Sequence, residues 1–176
     1  VTVGYNSLTT NTKSFYNVAV GSSALAAHNL TSDAAGYNTG IGHNAGAAVT
    51  TGVQNTLIGG LAGDALTDAD YNIAIGQAAL SADTLGSRST ALGYFSLTTQ
   101  NFTTATDAYN TAVGFAAGQL ITTGVENTLI GALAGDALAA SNDNTAVGYR
   151  ALGCATTGNE NTAIGHTALY TNILSD

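Results

Sequence analysis

Asn144-Thr145-Ala146-Val147-Gly148 is the stretch that decides the fold, because the chain repeats it from end to end. The pattern Asn-Thr-Ala-(Val/Ile)-Gly, with small variations, occurs nine times, and residues 1–4 form a shortened copy. The closing glycines are 17, 21, 17, 17, 17, 21, 17, 17 and 17 residues apart, so every 72 residues the spacing itself repeats. We predict a single repeat domain over 1–176, a segment of a longer fibre, with super-repeats 17–88 and 89–160.

The repeat predicts an all-β fold, a parallel β-solenoid of about ten coils. A period of 17 is too short for helix-pair repeats or propeller blades. The motif alternates as a strand does and carries β-branched residues. Each copy ends where a tight bend needs a residue without a Cβ. We assign that structural turn to Gly21, Gly42, Gly59, Gly76, Gly93, Gly114, Gly131, Gly148 and Gly165.

The asparagine that opens each copy is expected to form a ladder of side-chain amides, each bonded to its equivalent one coil away. Ser89 interrupts this ladder once. Its predicted members are Asn17, Asn38, Asn55, Asn72, Asn110, Asn127, Asn144 and Asn161.

The thin core is expected to contain the aliphatic residue before each glycine, such as Ile58 or Val147. Four residues after the glycine, coils carry either Leu or Gly. Where Gly stands, an aliphatic residue follows three positions later; where Leu stands, the later position is polar or small (His28, Asp83, Gln100, Ala155, Asn172). This exchange indicates one large side chain per coil, placed at either of two positions.

The middle residue of the motif, usually Ala, lies on the opposite face of the strand from that aliphatic residue. A strand that is apolar on both faces is normally buried on both. We therefore expect the small middle residues, such as Ala112 and Ala146, to face a neighbouring chain, and we expect the protein to self-associate.

Composition excludes several classes of function. Eleven acidic residues against three basic ones give a net charge of −8, so a nucleic-acid footprint is absent. No apolar run is long enough for a membrane span. Cys154 is the only cysteine, so no intrachain disulfide forms. No catalytic constellation, metal site or cofactor motif is evident, because the three histidines occupy different phases of the repeat. We predict that the chain is not an enzyme.

Two four-residue insertions lengthen 26–37 and 98–109, and each carries an N-x-[ST] sequon. Asn29 and Asn101 are therefore candidates for glycosylation or for a receptor-binding loop, against the alternative that duplication copied a chance sequon. Aromatic residues before the motif asparagine and after the glycine either bind sugar rings or cover the corners of the coil, and the second role is the commoner one.

The repeated Asn-Thr-Ala-Ile-Gly motif resembles the head repeats of trimeric autotransporter (YadA-like) adhesins and similar repeats of phage tail fibres. The resemblance spans the whole chain, although the coils here are longer than those common in adhesin heads. It implies a left-handed β-roll, three chains side by side, and a rigid extracellular fibre segment on a virion or cell surface that serves attachment. A host-surface receptor or glycan would be its partner.

Two alternatives remain open at the level of sequence. A rank of threonines (Thr39, Thr56, Thr90, Thr111, Thr128, Thr145, Thr162) is consistent with an ice-binding solenoid, although the neighbouring strand positions are Ala and aliphatic. A single-chain solenoid that joins end to end into a surface filament is the other alternative. The mass of the particle in solution separates it from a homotrimer.

Overall fold

A computed structural model describes residues 1–154 and 157–171, and Ala155 and Asn172 lie outside these ranges. The described residues form strands and turns, with no helix among them. Ten strands build one parallel sheet in the order of the chain: β1 (Thr2–Val3), β3 (Val18–Val20), β5 (Thr39–Ile41), β6 (Thr56–Ile58), β7 (Ile73–Ile75), β9 (Thr90–Leu92), β11 (Thr111–Val113), β12 (Thr128–Ile130), β13 (Thr145–Val147) and β14 (Thr162–Ile164). A parallel β-solenoid is confirmed, and these strands number coils 1 to 10.

Adjacent coils pair in strict register, so equivalent residues form straight ranks along the axis. Thr128 lies beside Thr111 on one side and Thr145 on the other. The backbone bonds that join coils are short, as between Thr128 N and Asn144 O at 2.8 Å. Equivalent residues of successive coils are separated by the strand spacing of about 4.8 Å. The ten coils therefore extend on the order of 50 Å along the axis.

The four-residue insertions add two small parallel sheets to the solenoid. The first pairs β2 (Ser14–Phe15) with β4 (Ala34–Ala35), and the second pairs β8 (Gly86–Ser87) with β10 (Thr106–Asp107). The longer coils thus remain hydrogen-bonded to the coil before them, in the same phase of both super-repeats.

The interior of the solenoid is lined by the middle residue of each strand, which corrects the expectation from sequence. Ala112, Leu129 and Ala146 are fully buried, whereas Ile130, next to Leu129, is 40% exposed. The aliphatic residues before the glycines therefore point outward, and the small middle residues face the core. The sequence pattern was ambiguous because both faces of the strand are apolar. Ala fits the interior because the coil is too narrow for two ranks of large side chains.

Large side chains fill the core from either of two positions, as the Leu/Gly exchange predicts. Leu25, Leu80, Leu97 and Leu152 are fully buried in coils with Leu four residues after the glycine, and Val49, Leu66, Ile121 and Leu138 are fully buried in coils with Gly there. A Cβ on Gly118 would lie 2.8 Å from Leu129 Cδ1 and 3.2 Å from Ile121 Cδ1. The space that glycine leaves is thus occupied by the other side chains.

The glycine that ends each strand is required by two constraints. Gly59 has φ of +132°, which L-residues with a side chain rarely adopt, and its Cβ would lie 2.5 Å from Gly76 O of the next coil. The neighbouring Gly60 has no such restriction, because nothing lies within 4 Å of its Cβ position. Ala132 occupies the equivalent position in the second super-repeat.

Candidate functional site

The outward face of the ten-stranded sheet is a regular surface that runs through all ten coils. It carries two parallel ranks, one mostly Thr at the first strand position and one of Val, Ile or Leu at the third. Ile41, Leu92 and Ile130 in the second rank are 37 to 41% exposed. Three strand positions across ten coils cover on the order of 500 Å². Within this area the aliphatic rank forms an apolar stripe along the solenoid beside the threonines, and a continuous apolar stripe is a candidate interaction site.

Two ranks of exposed side chains border this face. One precedes the motif asparagine and contains Tyr16, Tyr37, Tyr71 and Tyr109, which are 43 to 70% exposed. The other follows the glycine and contains Tyr5, Tyr94, Phe115 and Tyr149, which are 41 to 78% exposed. With these borders each coil contributes seven residues, so the surface is about 20 Å wide, or on the order of 1,000 Å².

The aromatic rings of these border ranks stack on one another along the axis. Tyr16 and Tyr37 lie 5.4 Å apart with an interplanar angle of 17°, and Tyr94 and Phe115 lie 5.7 Å apart at 3°. Rings stacked in this way present their edges and hydroxyl groups to solvent rather than their faces. A sugar that stacks on a ring needs a free face, so most of these rings are poorly placed to bind one.

Behind the sheet, the motif asparagines join successive coils through buried amides. Asn127 Nδ2 donates to Asn110 Oδ1 at 3.1 Å and to Ser141 O at 2.8 Å, and Asn127 Oδ1 accepts from the Asn144 backbone N–H at 3.1 Å. The same bonds to a backbone N–H link Asn17 with Asn38, Asn38 with Asn55, Asn55 with Asn72, and Asn144 with Asn161. Each amide therefore fixes the spacing of three coils.

A buried polar cluster lies beside the first insertion, where the core position three residues after Leu25 is His28. The ring of His28 is fully buried, and its Nε2 lies 2.8 Å from Ser14 Oγ. Asn17 Nδ2 donates to that same Ser14 oxygen at 2.8 Å, which leaves the serine hydroxyl hydrogen available to Nε2. Asn38 Nδ2, at 3.4 Å, approaches the same nitrogen. The cluster therefore requires a neutral histidine.

The second insertion contains a different cluster at the equivalent positions. Gln100 replaces His28, and its Nε2 donates to Asp83 Oδ2 at 2.7 Å and to Ser89 Oγ at 3.0 Å. Its Oε1 accepts from Asn110 Nδ2 at 2.9 Å. Gln100 thus bridges the break that Ser89 makes in the asparagine ladder. The sequence signal was present, because a polar residue stands where other coils carry a core aliphatic.

Burial shifts the pKa values of these groups. Burial lowers the pKa of His28, opposed only by the backbone carbonyl of Thr50. It raises the pKa of Asp83, against the hydrogen bonds that the carboxylate accepts from Gln100, Phe102 and Gly86. The pKa values of Asp64 and Asp136 are also raised, by burial.

The two sequon asparagines have structural roles that are alike. Asn29 Oδ1 accepts from the Thr12 backbone N–H at 3.2 Å, and Asn101 Oδ1 accepts from Thr84 Oγ1 at 3.0 Å. Each side chain therefore ties its loop to the coil 17 residues earlier. Thr31 and Thr103 are exposed. The two sites are 72 residues, or four coils, apart, and do not converge on one pocket.

Other site types find no support in the described part of the chain. Residues 1–154 and 157–171 contain no group of three His, Cys, Asp or Glu side chains placed to hold a metal ion. Within the same ranges there is no long apolar helix that could cross a membrane. Cys154 is exposed and unpaired with another cysteine.

Comparisons with protein-family models, with curated proteins and with solved structures find no match to this chain. The function is therefore inferred from the surface and the core of the chain.

Proposed function

We propose that the protein is a rigid repeat segment of an extracellular fibre, a phage tail fibre or a cell-surface adhesin, whose chains associate through the outward face of the sheet. The observation that carries the proposal is the rank of exposed aliphatic residues along ten parallel strands, with Ile41, Leu92 and Ile130 near 40% exposed. Stacked coils supply stiffness, and the fibre presents loops or a distal tip for attachment to a host surface.

The size of the face supports association of copies. About 800 Å² per partner is the area that a specific protein interface commonly buries. The face carries an aliphatic rank beside the threonine rank, and its borders are rich in aromatic residues, which are enriched in such interfaces. The resemblance to adhesin heads supports three copies and a left-handed coil.

The proposal is tested by measuring particle mass by native mass spectrometry and analytical ultracentrifugation. We expect a homotrimer, and we expect the triple variant I41K/L92K/I130K to be monomeric with an unchanged circular dichroism spectrum. A matched control places three lysines on the solvent-exposed loop side, at Thr31, Thr103 and Thr123. If the native chain is monomeric over a wide concentration range, the interface and the trimer are both wrong.

Ice binding is a second candidate function, favoured by one observation. The seven threonines of the first rank lie on the outward face in strict register, two positions from the exposed aliphatic rank. A regular array of hydroxyl and methyl groups is the surface that such a function needs. Thermal hysteresis in a solution of the purified chain would support it, and its loss in T111K/T128K would place it on this face.

A further inference from the structure

The chain builds one binding site for a guanidinium group on its own surface. Arg88 Cζ lies 4.7 Å from the centre of the Tyr71 ring and 5.9 Å from the centre of the Tyr109 ring. Arg88 Nε donates to Asp107 Oδ1 at 2.9 Å. A planar cation is thus held between two rings that are two coils apart, with a carboxylate from the second of those coils.

Part of the same arrangement recurs two coils earlier. Tyr37, Gln54 and Tyr71 occupy coils 3, 4 and 5 of the border rank that continues as Arg88 and Tyr109. All five residues share positive φ between 51° and 64°, so their side chains leave the backbone in the same way. A second pair of rings therefore flanks coil 4, but the residue between them is Gln54 rather than arginine.

The carboxylate of the Arg88 site has its counterpart as well. In the strand register, Asp107 lies opposite Ser87. The Ser87 Oγ accepts from the Asp70 backbone N–H at 3.0 Å. Asp70 therefore lies in the rank of Asp107, on the same coil as Tyr71. Asp70 Oδ1 accepts from the Val53 backbone N–H at 2.7 Å. Its Oδ2 has no hydrogen bond with a described residue.

The residue between these two rings is not fixed in place by a hydrogen bond. Gln54 is exposed, and its side chain makes no hydrogen bond with a described residue. Tyr37 has one ring face on Tyr16, and Tyr71 has one face on Arg88, so each ring has its other face toward coil 4. Each tyrosine is well exposed, at 56% and 43%.

We propose that Tyr37, Tyr71 and Asp70 form a binding site for the guanidinium group of an arginine from another protein. The chain cannot supply this arginine itself, because Arg88 occupies the neighbouring site and Arg150 lies against Tyr149 and Tyr170. A net charge of −8 attracts basic partners. Two ring faces and a carboxylate select guanidinium over ammonium, since only the planar group stacks on both rings. Because Tyr37 and Tyr71 lie on a border of the face through which copies are proposed to associate, an arginine partner and a neighbouring copy compete for them.

The test uses the blocked peptide acetyl-Gly-Arg-Gly-amide, with citrulline and lysine analogues, and follows the ring signals of labelled tyrosines by NMR. We expect the arginine peptide to shift Tyr37 and Tyr71 and to bind at least about fivefold more tightly than the citrulline analogue. Asp70→Asn retains the acceptor for Val53 and should weaken binding. Gln54→Arg should abolish it, because the new side chain fills the site.

Gln77→Arg is the matched control, since it makes the same substitution at an exposed residue on the opposite border of the sheet. It should bind the arginine peptide as the native chain does. Equal affinity for arginine and citrulline, equal affinity for arginine and lysine, or equal binding by the Gln54→Arg and Gln77→Arg variants would each overturn the assignment. Circular dichroism of every variant establishes that a loss of binding is not a loss of fold.

Discussion

Leu129 and Ile130 are adjacent residues of strand β12, and their truncation to alanine separates the two faces of the sheet. Leu129 is fully buried, and its Cδ atoms lie 2.6 to 3.1 Å from the position that a Cβ on Gly135 would occupy. Its methyl groups thus fill the room that glycines leave, and neighbours without side chains cannot move into the cavity. We expect Leu129→Ala to cost about 3–4 kcal/mol of unfolding free energy.

Ile130→Ala removes similar atoms from a side chain that is 40% exposed. In an isolated chain we expect a cost of about 1 kcal/mol or less. If copies associate through this face, the cost grows with protein concentration, because the interface is part of the stability. The Leu129→Ala cost comes from the interior of one chain, and it should be nearly the same at all concentrations.

The assay is chemical unfolding followed by circular dichroism at two protein concentrations roughly a hundredfold apart. Hydrogen exchange of coils 7 to 9 gives a local reading, since a repeat protein does not always unfold in one step. Equal costs for the two variants at low concentration would refute the assignment of faces. A larger cost for Ile130→Ala than for Leu129→Ala at low concentration would show that the interior rank is the one before the glycine.

Three further predictions concern the backbone ladder, the turn and the buried histidine. Asn127→Ala leaves a buried N–H and a buried carbonyl without partners and should cost about 2–4 kcal/mol, measured by chemical unfolding. Gly59→Ala should lower the melting temperature sharply, whereas Gly60→Ala should leave it within a degree or so of the native value, since only Gly59 has positive φ and a close backbone neighbour. The pKa of His28 is lowered in the folded state, so below the ordinary value of 6.5 the unfolded chain binds a proton that the folded chain does not. The free energy of unfolding therefore falls as the pH falls below that value. His28→Gln, which copies Gln100, should remove this loss between pH 7 and about 5.5; raised pKa values of the buried carboxyls act in the opposite sense at lower pH.

The solenoid could be predicted from sequence because one strand motif recurs at a fixed period, and only stacking lets each copy bury its apolar residues. The Leu/Gly exchange could also be predicted, since Leu25 and Val49 fill one volume from two positions. The faces of the strand could not, because Ala112 and Val113 are both apolar, and the choice depends on the width of the coil. That width is set by turns whose residues have positive φ, and no local pattern reveals it.

The candidate sites, too, could be predicted from sequence only in part. Asparagines that recur in one phase pointed to the amide contacts now seen between Asn110, Asn127 and Asn144. The clusters around His28 and Gln100 were missed, because a polar residue in a core rank reads from sequence as an exposed one. The guanidinium site at Gln54 depends on residues from three coils. Only the structure of the Arg88 site shows what such residues do together.

The central claim is that copies of this chain associate through the outward face of the sheet. The most direct measurement is the native mass of the purified chain beside that of I41K/L92K/I130K. We expect three chains per particle for the native protein and one for the variant, with the same circular dichroism spectrum. A native protein that remains a single chain at high concentration, or a variant that remains a trimer, would contradict it.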